Sequence, residues 1–488
     1  MQSHHCLRPC GARGWAVAWL FVMLVCASAF SARAAEPGRQ LIGSLVELAD
    51  YAGRSGQHVK MQPGVYQLAD LLPPEVIDQR RAEVVADAER RGTKKLDTYL
   101  FRFTGSDNTF DLSGVTIEVD TRLLSVFKGC YIRAFLIAGD RITLRGLTVR
   151  DLGNGPTSRG GNSLSVHGDD VTLENVVLHV RGSYPYGYGD LLGKGGKSIV
   201  RHRKHSGLLV CGTNTRLVGC KVYSRAFGHL FYVQGGRNIT FEDCYAEGEL
   251  RSTDEMLAET EGPAFENGFK SVYQPNVIQP GYIKSLNECG FRTYGRGGPA
   301  QRETGVVTLV NCVAKNVRVG FAFALKDGAR ATLQGCEAVA CERGYYLRGA
   351  NVTESRGDAQ YGPLLYLVGE RSDRCVVDLT LTPATSDATV HALATLSGEG
   401  HKVTLRADVP RPEPVPIMIG FNPPGGGENS APLSEGPANA IRLTNHTAMP
   451  VVLGAKSHGN RVVTEGPVLS DAGNGNRTRV LSPRDSSR

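Results

Sequence analysis

The sequence predicts an all-β fold: a single parallel β-helix, or solenoid, with an N-terminal capping helix. Three observations carry that prediction. A 24-residue period relates HSGLLVCGTNTRLVGCKVYSRA (205–226) to HLFYVQGGRNITFEDCYAEGEL (229–250), and TLVNCVA (308–314) to TLQGCEA (332–338). Within each copy apolar and polar residues alternate, the pattern of a half-buried strand. A Gly, Asn or Asp interrupts the alternation, and these residues tolerate the left-handed backbone of a sharp corner. Strand, one-residue corner, strand, at a fixed period, is one rung of a solenoid.

Residues 1–34 read as a secretory signal peptide. Arg8 and Arg13 precede an apolar run from Trp15 to Phe30, and Ala32-Arg33-Ala34 supplies a small-residue cleavage site. The run is short for a membrane span, and no later run approaches the roughly 20 residues one needs. Cys26 follows Met23-Leu24-Val25 rather than a small residue, so release is expected rather than lipid anchoring, into the periplasm or the medium. Cleavage removes three arginines and no acid, and the net charge falls from +7 to +4. So small an excess gives no whole-molecule argument for nucleic acid. Trp15 and Trp19 leave with the peptide, and with them the favoured platform for stacking neutral sugars. Nine of the twelve cysteines remain, an odd number without a C-x-x-C pair. That leaves at least one free thiol and argues against a zinc knuckle.

Residues 35–107 form the opening. Leu41, Leu45, Leu48 and Tyr51 mark an amphipathic helix, and a strand and the Pro63-Gly64-Val65-Tyr66 turn follow. PPEVIDQRRAEVVADAERRG (73–92) reads as a charged insertion helix. Residues 108–455 form the β-helix, with looser copies at FDLSGVTIEV (110–119), ITLRGLTVRD (142–151) and VTLENVVLHV (171–180). LNECGF (286–291) sits one coil before 308–314, offset by 23. Beyond Gly349 the rungs blur, and residues 456–488 are expected to be a polar, disordered tail. In this register Cys220 stacks over Cys244 and Cys312 over Cys336, as inward ladders of small apolar side chains. A disulfide between stacked rungs stays open at this point.

The repeat, the helical opening and the first turn resemble the right-handed parallel β-helix superfamily, the pectate-lyase-like folds, over roughly residues 36–450. The resemblance implies a right-handed winding and a substrate groove along one face, walled by loops inserted between rungs. It does not choose a function, because the superfamily includes lyases, hydrolases, epimerases and adhesins. The Asn-Thr-Asp run of polygalacturonase-like hydrolases is absent. So are the Asp-Pro-His-Asp motif of alginate epimerases and the Trp-Ile-Asp-His-type motif of pectate lyases. No subfamily's catalytic residues carry over.

The site is therefore read from placement. The longest departures from the period are Leu173 to Leu217, 44 residues, and Phe241 to Leu286, 45 residues. Each adds about one rung's worth of loop, and the two flank a single regular rung. The first loop (181–204) carries tyrosines, Asp190 and the basic run that ends in Arg201, His202, Arg203 and Lys204. The second (245–275) is acidic, and its Ser252-Thr253-Asp254-Glu255 has capping-box spacing. This composition suggests a partner that is an acidic polysaccharide, cleaved by β-elimination by a monomeric secreted lyase. Glycoside hydrolysis, uronate epimerisation and a non-catalytic carbohydrate-binding solenoid are the alternatives. Elimination needs a neutralised carboxylate and a base. Lys204, His205, His229, Tyr232 and Arg225 are the candidate catalytic residues. Arg201, Arg203, Arg251, Arg348 and Tyr346 are candidate substrate contacts, and Glu247 with Glu249 candidate Ca²⁺ ligands.

Aligning GHLFYVQ (228–234), GFAFALK (320–326) and GYYLRGA (344–350) from their first glycine puts His229 over His205, in the column of Phe321 and Tyr345. A structural corner pair and a catalytic pair are equally open readings. The same alignment turns Tyr232, Gln234, Lys326, Tyr346 and Arg348 outward and gives Tyr232, Ala324 and Arg348 one column. Arg225 and Glu249, in adjacent rungs, form either an ion pair or a substrate contact.

Overall fold

Each rung is built from three short strands. In the rung that opens at His205 they are His205–Val210, Arg216–Val218 and Lys221–Ser224. The computed structural model describes residues 39–194, 199–299, 301–325, 329–384, 390–408, 413–423 and 433–481. The signal-peptide reading of residues 1–34 and the outward reading of Lys326 lie outside the described residues. Equivalent strands of successive rungs pair in parallel. The strands equivalent to His205–Val210 make a 13-stranded sheet, face one; the other two positions, face two and face three, share a 23-stranded sheet. The molecule is a parallel β-helix, the fold the sequence predicts.

The corners follow the sequence closely. Gly114, Gly146, Asn175, Gly219, Asp243, Asn311 and Gly335 stand between face two and face three, all with positive φ. At Gly219 a Cβ would come within 2.4 Å of Asn175 Oδ1, so the close approach as well as the backbone calls for glycine there. The corner between face one and face two carries a polar ladder. Asn238 Nδ2 donates to Asn214 Oδ1, and Asn214 Nδ2 donates to Asp170 Oδ1, each at 2.8 Å.

Inside, stacking repeats rung by rung. Phe231, Phe291, Phe321 and Tyr345 pair in register on face one, with neighbouring ring centroids 4.9, 5.3 and 4.9 Å apart. Cys220, Cys244, Cys312 and Cys336 are buried and unbridged, as the inward-ladder reading requires. Their thiols donate to carbonyls of the preceding rung, for example Cys220 Sγ to Leu173 O (3.5 Å) and Cys244 Sγ to Leu217 O (3.6 Å). Burial holds the Cys220 and Cys312 thiols well above their ordinary pKa, so they stay protonated.

At the N-terminal end helix α1 (Leu45–Gly53) interrupts the first turn, between strands Gln40–Ile42 and His58–Met61, and packs against Leu96–Phe103, the edge strand of face one. Ser44 caps it by accepting from the Glu47 N–H (3.2 Å), and Leu45, Leu48 and Ala52 join the core. Helix α2 (Pro74–Arg90) is the charged insertion, largely solvated.

Three expectations need correction. LNECGF is not an early copy of the cysteine corner. Cys289 starts the face-one strand Cys289–Tyr294, pairs with Val319 and clusters with Val319 and Ala322. Phe241 accordingly pairs with Leu309 on face two, and the second insertion ends at face one. Second, His229 does not share the Phe321 column: Phe231 does, two residues on. Third, residues 456–481 are not a disordered tail, and residues 482–488 lie outside the described residues. Arg461–Thr464 and Arg477–Val480 extend face two, and Val468–Asp471 extends face one. These rungs look polar because their inward positions include short hydrogen-bonding side chains: buried Asn460 donates to Ala438 O (2.9 Å) and buried Asn445 to Thr464 Oγ1 (2.9 Å).

Phe291 lies within the ring stack. Phe291→Ala is expected to lower unfolding free energy by about 3–5 kcal/mol in chemical denaturation; a loss under about 1 kcal/mol would contradict a close-packed stack.

Candidate functional site

The two insertions meet at the corner where face three returns the chain to face one. The first joins Val177–Val180 to His205–Val210, and the second joins Tyr245–Glu247 to Cys289–Tyr294. Tyr188, Leu191 and Leu192 of the first pack with Met256, Ala264, Ile278 and Leu286 of the second in a cluster apart from the main core. Tyr188 Oη donates to Glu259 (2.8 Å), and Arg251 Nη1 donates to Gly187 O (3.1 Å). Ser252 caps the helix Thr253–Leu257, where its capping-box spacing predicts a helix start. The insertions thus form one wall.

Beneath the wall six side chains alternate in charge. Lys204 Nζ donates to Glu288 Oε1 (2.8 Å), and Arg318 Nη2 reaches the same oxygen (3.4 Å). Arg318 Nη1 donates to Asp190 Oδ2 (2.7 Å). Lys284 Nζ lies 3.7 Å from Asp190 Oδ1 and donates to Glu342 Oε2 (2.6 Å). Tyr273 Oη adds a bond to Asp190 (2.6 Å). Burial alone would raise both carboxyls, but the surrounding charges outweigh it. Arg318, Lys284 and Lys194 hold Asp190 far below the carboxylate range. His229, Lys204 and Arg318 bring Glu288 to about 2.

Past Glu288 lies a group of aromatic and basic residues on the outside of face one. His229 Nε2 is 2.7 Å from Tyr294 Oη and 3.4 Å from Glu288 Oε2. Its ring lies 5.6 Å from those of Tyr232 and Tyr294. Burial drives the imidazole down to about 3, so it is neutral near pH 7, and raises Tyr294 to about 12. Arg292 stands between Tyr232 and Ala322 in the outward column. Its guanidinium packs 4.7 Å from the Tyr294 ring centroid and donates to Cys289 Sγ (3.8 Å). Among the described residues no carboxylate pairs with it, and its Nε is buried without a hydrogen-bond partner. One step along, Tyr131, Tyr232, Arg133, Lys95, Asp97 and Arg159 help to line a cavity of about 260 Å³. The Tyr131 and Tyr232 hydroxyls are 3.5 Å apart.

The candidates read from sequence fall into three places. Lys204, His229 and Tyr232 come together here. Tyr346 lies further along the same outward column, packed near Cys289, Val319 and Ala322. Arg348 is in the neighbouring column with Ala324, not with Tyr232, and is paired with buried Asp373 (2.5 Å). A second group belongs to the wall and its edge. Arg251 pairs with Glu259 (2.7 Å), Arg203 exchanges backbone hydrogen bonds with Tyr184, and Arg201 is exposed. His205 is fully buried, stacked against Gly161 rather than below His229, with Nε2 3.6 Å from Asp151. The third group is on face three. Arg225, Glu247 and Glu249 line a larger cavity of about 760 Å³ with His179 and Tyr223. There Glu249 is bonded to Arg225 and Tyr186, and Glu247 to Lys315 (3.0 Å) and Tyr245 (2.7 Å). Among the described residues no group of three or more His, Cys, Asp or Glu is arranged to hold a metal ion.

Arg292, Tyr294 and Glu288 were not singled out from sequence. The signal was present: FRTY (291–294) aligns on the phenylalanine of FYVQ (231–234), which turns Arg292 and Tyr294 outward beside Tyr232.

No protein-family model and no curated protein sequence matches the chain. Solved structures similar to it include the alginate lyase AlyF-OU02 in complex with G6, at 10% identity over 91% of this chain and 85% of that one, with a TM-score of 0.39. The surface adhesin PfbA of Streptococcus pneumoniae is similar at 11% identity over 90% and 87%, with a TM-score of 0.38. The tailspike protein of E. coli bacteriophage HK620, in complex with a hexasaccharide, is similar at 10% identity over 89% and 79%, with a TM-score of 0.42.

The buried network generates two predictions. Asp190→Ala leaves Arg318 and Lys284 short of a buried partner, and is expected to cost about 3–5 kcal/mol in chemical denaturation. Secondly, burial holds His229 at about 3 and His167, His202, His391 and His401 at about 4. Their folded values lie below the unfolded one, so the unfolded chain takes up protons first. Stability is full above about pH 6.5 and falls towards pH 4. Glu288 acts lower down: its contribution is present above its ordinary 4.5 and is lost towards about 2. Denaturation midpoints should therefore drop between about pH 7 and about pH 5, and a flat midpoint there would contradict the neutral imidazoles.

Proposed function

We propose that the chain binds an acidic polysaccharide along the outside of face one and cleaves it by β-elimination beside a uronate carboxylate. One observation carries the reading. Arg292 is a partly buried guanidinium without an acidic partner among the described residues, beside Tyr232 in the outward column and packed on the ring of Tyr294, which pairs with His229. The hydrogen beside a carboxylate is too weakly acidic to leave until that carboxylate is neutralised, and Arg292 supplies the charge. As Tyr294 Oη takes the C5 hydrogen, its own proton passes to His229 Nε2. The new imidazolium is offset by the Glu288 carboxylate 3.4 Å away. The C4–C5 double bond forms as the C4–O4 bond breaks, and a proton from Tyr232 or Tyr131 goes to the departing oxygen. Lys95, Arg133 and Arg159 in the adjoining cavity would meet further carboxylates.

Elimination is favoured over glycoside hydrolysis by the state of Glu288. Hydrolysis needs a carboxylic acid that still holds its proton, and Glu288 is held ionised by its cations. Epimerisation begins with the same proton abstraction and differs in whether O4 leaves. Residues 1–34, read as an export signal, would bring the chain to polymers outside the cytoplasm.

The test is a panel of uronate polymers, scored for ultraviolet absorbance of unsaturated product, new reducing ends and inverted C5 centres. Unsaturated product is expected, with kcat/KM lowered about 10²–10³-fold in Arg292→Ala and kcat lowered in Tyr294→Phe. Arg225→Ala, on face three, should keep wild-type activity. Reducing ends without unsaturation, inversion without cleavage, or no reaction on any polymer would each overturn the proposal.

A further inference from the structure

Cations on this surface are usually matched from a nearby rung. Arg145 meets Glu174, Arg216 meets Glu242, Lys315 meets Glu247, Arg356 meets Glu337 and Arg406 meets Asp378. One column on face two departs from that rule. Through the middle of the solenoid it reads Thr240, Thr308, Thr332 and Asn351. After Val376 it reads Lys402, Arg442, Arg461 and Arg477, four cations paired strand to strand. All four are exposed, and none has an acidic partner among the described residues. Like charges directly opposite on adjacent strands repel, so the column is strained electrostatically until an anion lies on it. Beside it, Arg330, Arg371 and Arg374 join Lys402 and Arg442 around a cavity of about 460 Å³ in which Glu399 is the single lining acid. Glu399 is 3.8 Å from Arg371, and Arg330 Nη1 is buried without a hydrogen-bond partner.

We infer that this ladder is a second polyanion site, holding an acidic polysaccharide extended along the solenoid axis. Successive cations fall about 4.8 Å apart in a line, the rung spacing, which suits a polymer with an anionic group on each sugar. No aromatic side chain interrupts the four cations. Sites for single-stranded nucleic acid combine cations with stacking rings, so the column favours polysaccharide. It lies on a different face from Arg292 and does not depend on the reaction proposed there: a chain without lyase activity would still bind.

Affinity electrophoresis of the full-length protein through gels containing polygalacturonate, alginate or chondroitin sulfate tests the inference. At least one polymer should retard the protein, salt should relieve the retardation, and dextran should have no effect. In the double variant Arg442→Ala/Arg461→Ala affinity should fall at least tenfold with a shallower salt dependence, whereas Arg145→Ala, which removes a face-two cation already paired with Glu174, should stay within twofold of wild type. Retention of wild-type affinity by the double variant, or absence of retardation by every acidic polymer, would overturn the ladder. Binding of duplex DNA as tight as that of the best polysaccharide at equal salt would overturn the assignment to polysaccharide. Loss of product formation with retardation intact would count against face one alone.

Discussion

Parallel hydrogen bonding between rungs, about 4.8 Å apart, is the constraint on which the rest of the molecule depends. It places every side chain directly over an equivalent one. Inside, that demands columns of shapes that stack on themselves, and the ring series from Phe231 to Tyr345 and the thiols from Cys220 to Cys336 meet the demand. Outside, it demands that neighbouring charges alternate in sign. Most of the surface obeys, as Arg145–Glu174 and Arg216–Glu242 do. The places that disobey are therefore informative. The column from Lys402 to Arg477 is one of them, and Arg292, flanked by Tyr232 and Ala322, is a charge with no charged neighbour in its column to match it.

How much of this was legible in the sequence depended on whether the period was local. Faces two and three repeat at 24 residues with a fixed corner, so Leu217 over Phe241 and Cys220 over Cys244 could be read directly. Face one does not keep that period. Val210 pairs with Val233, 23 residues on, while Thr213 pairs with Arg237, 24 residues on. The turn at Gly235 and Gly236 absorbs the difference. Aligning Gly228 on Gly320 spaced the rungs at 92 residues, whereas Phe231 and Phe321, 90 apart, share a column, so His229 was misplaced by two residues, although the even slip left Tyr232, Tyr346 and Arg348 correctly turned outward. His229 itself faces Tyr232 and Tyr294 because it precedes the strand Phe231–Gln234, where alternation does not yet hold.

The charged network was not legible, for a different reason. Asp190 and Arg318 are 128 residues apart, and Lys284 and Glu342 are 58 apart. No motif links them; only the docking of two insertions on one corner does. Leaving any one of these charges unpaired in a buried setting is costly, so the network ties the wall to face one far more firmly than surface ion pairs would. On the proposed reading, a wall held in this way would keep Arg292 in place when a substrate carboxylate arrives.

The unbridged thiol column has a consequence for biogenesis. Four cysteines stand one above another in consecutive rungs, each close enough to its neighbour to be an accidental partner. Were residues 1–34 to act as the export signal they resemble, delivery to an oxidising compartment would make the order of events part of the design. Each turn of the solenoid must wind shut and sequester its sulfur before oxidant arrives, because a covalent link made across half-wound turns would lock a slipped register. Burial raises the Cys220 and Cys312 thiols and suppresses their reactive thiolates once winding is complete, so the finished coil protects these two sulfurs and the nascent one leaves them vulnerable.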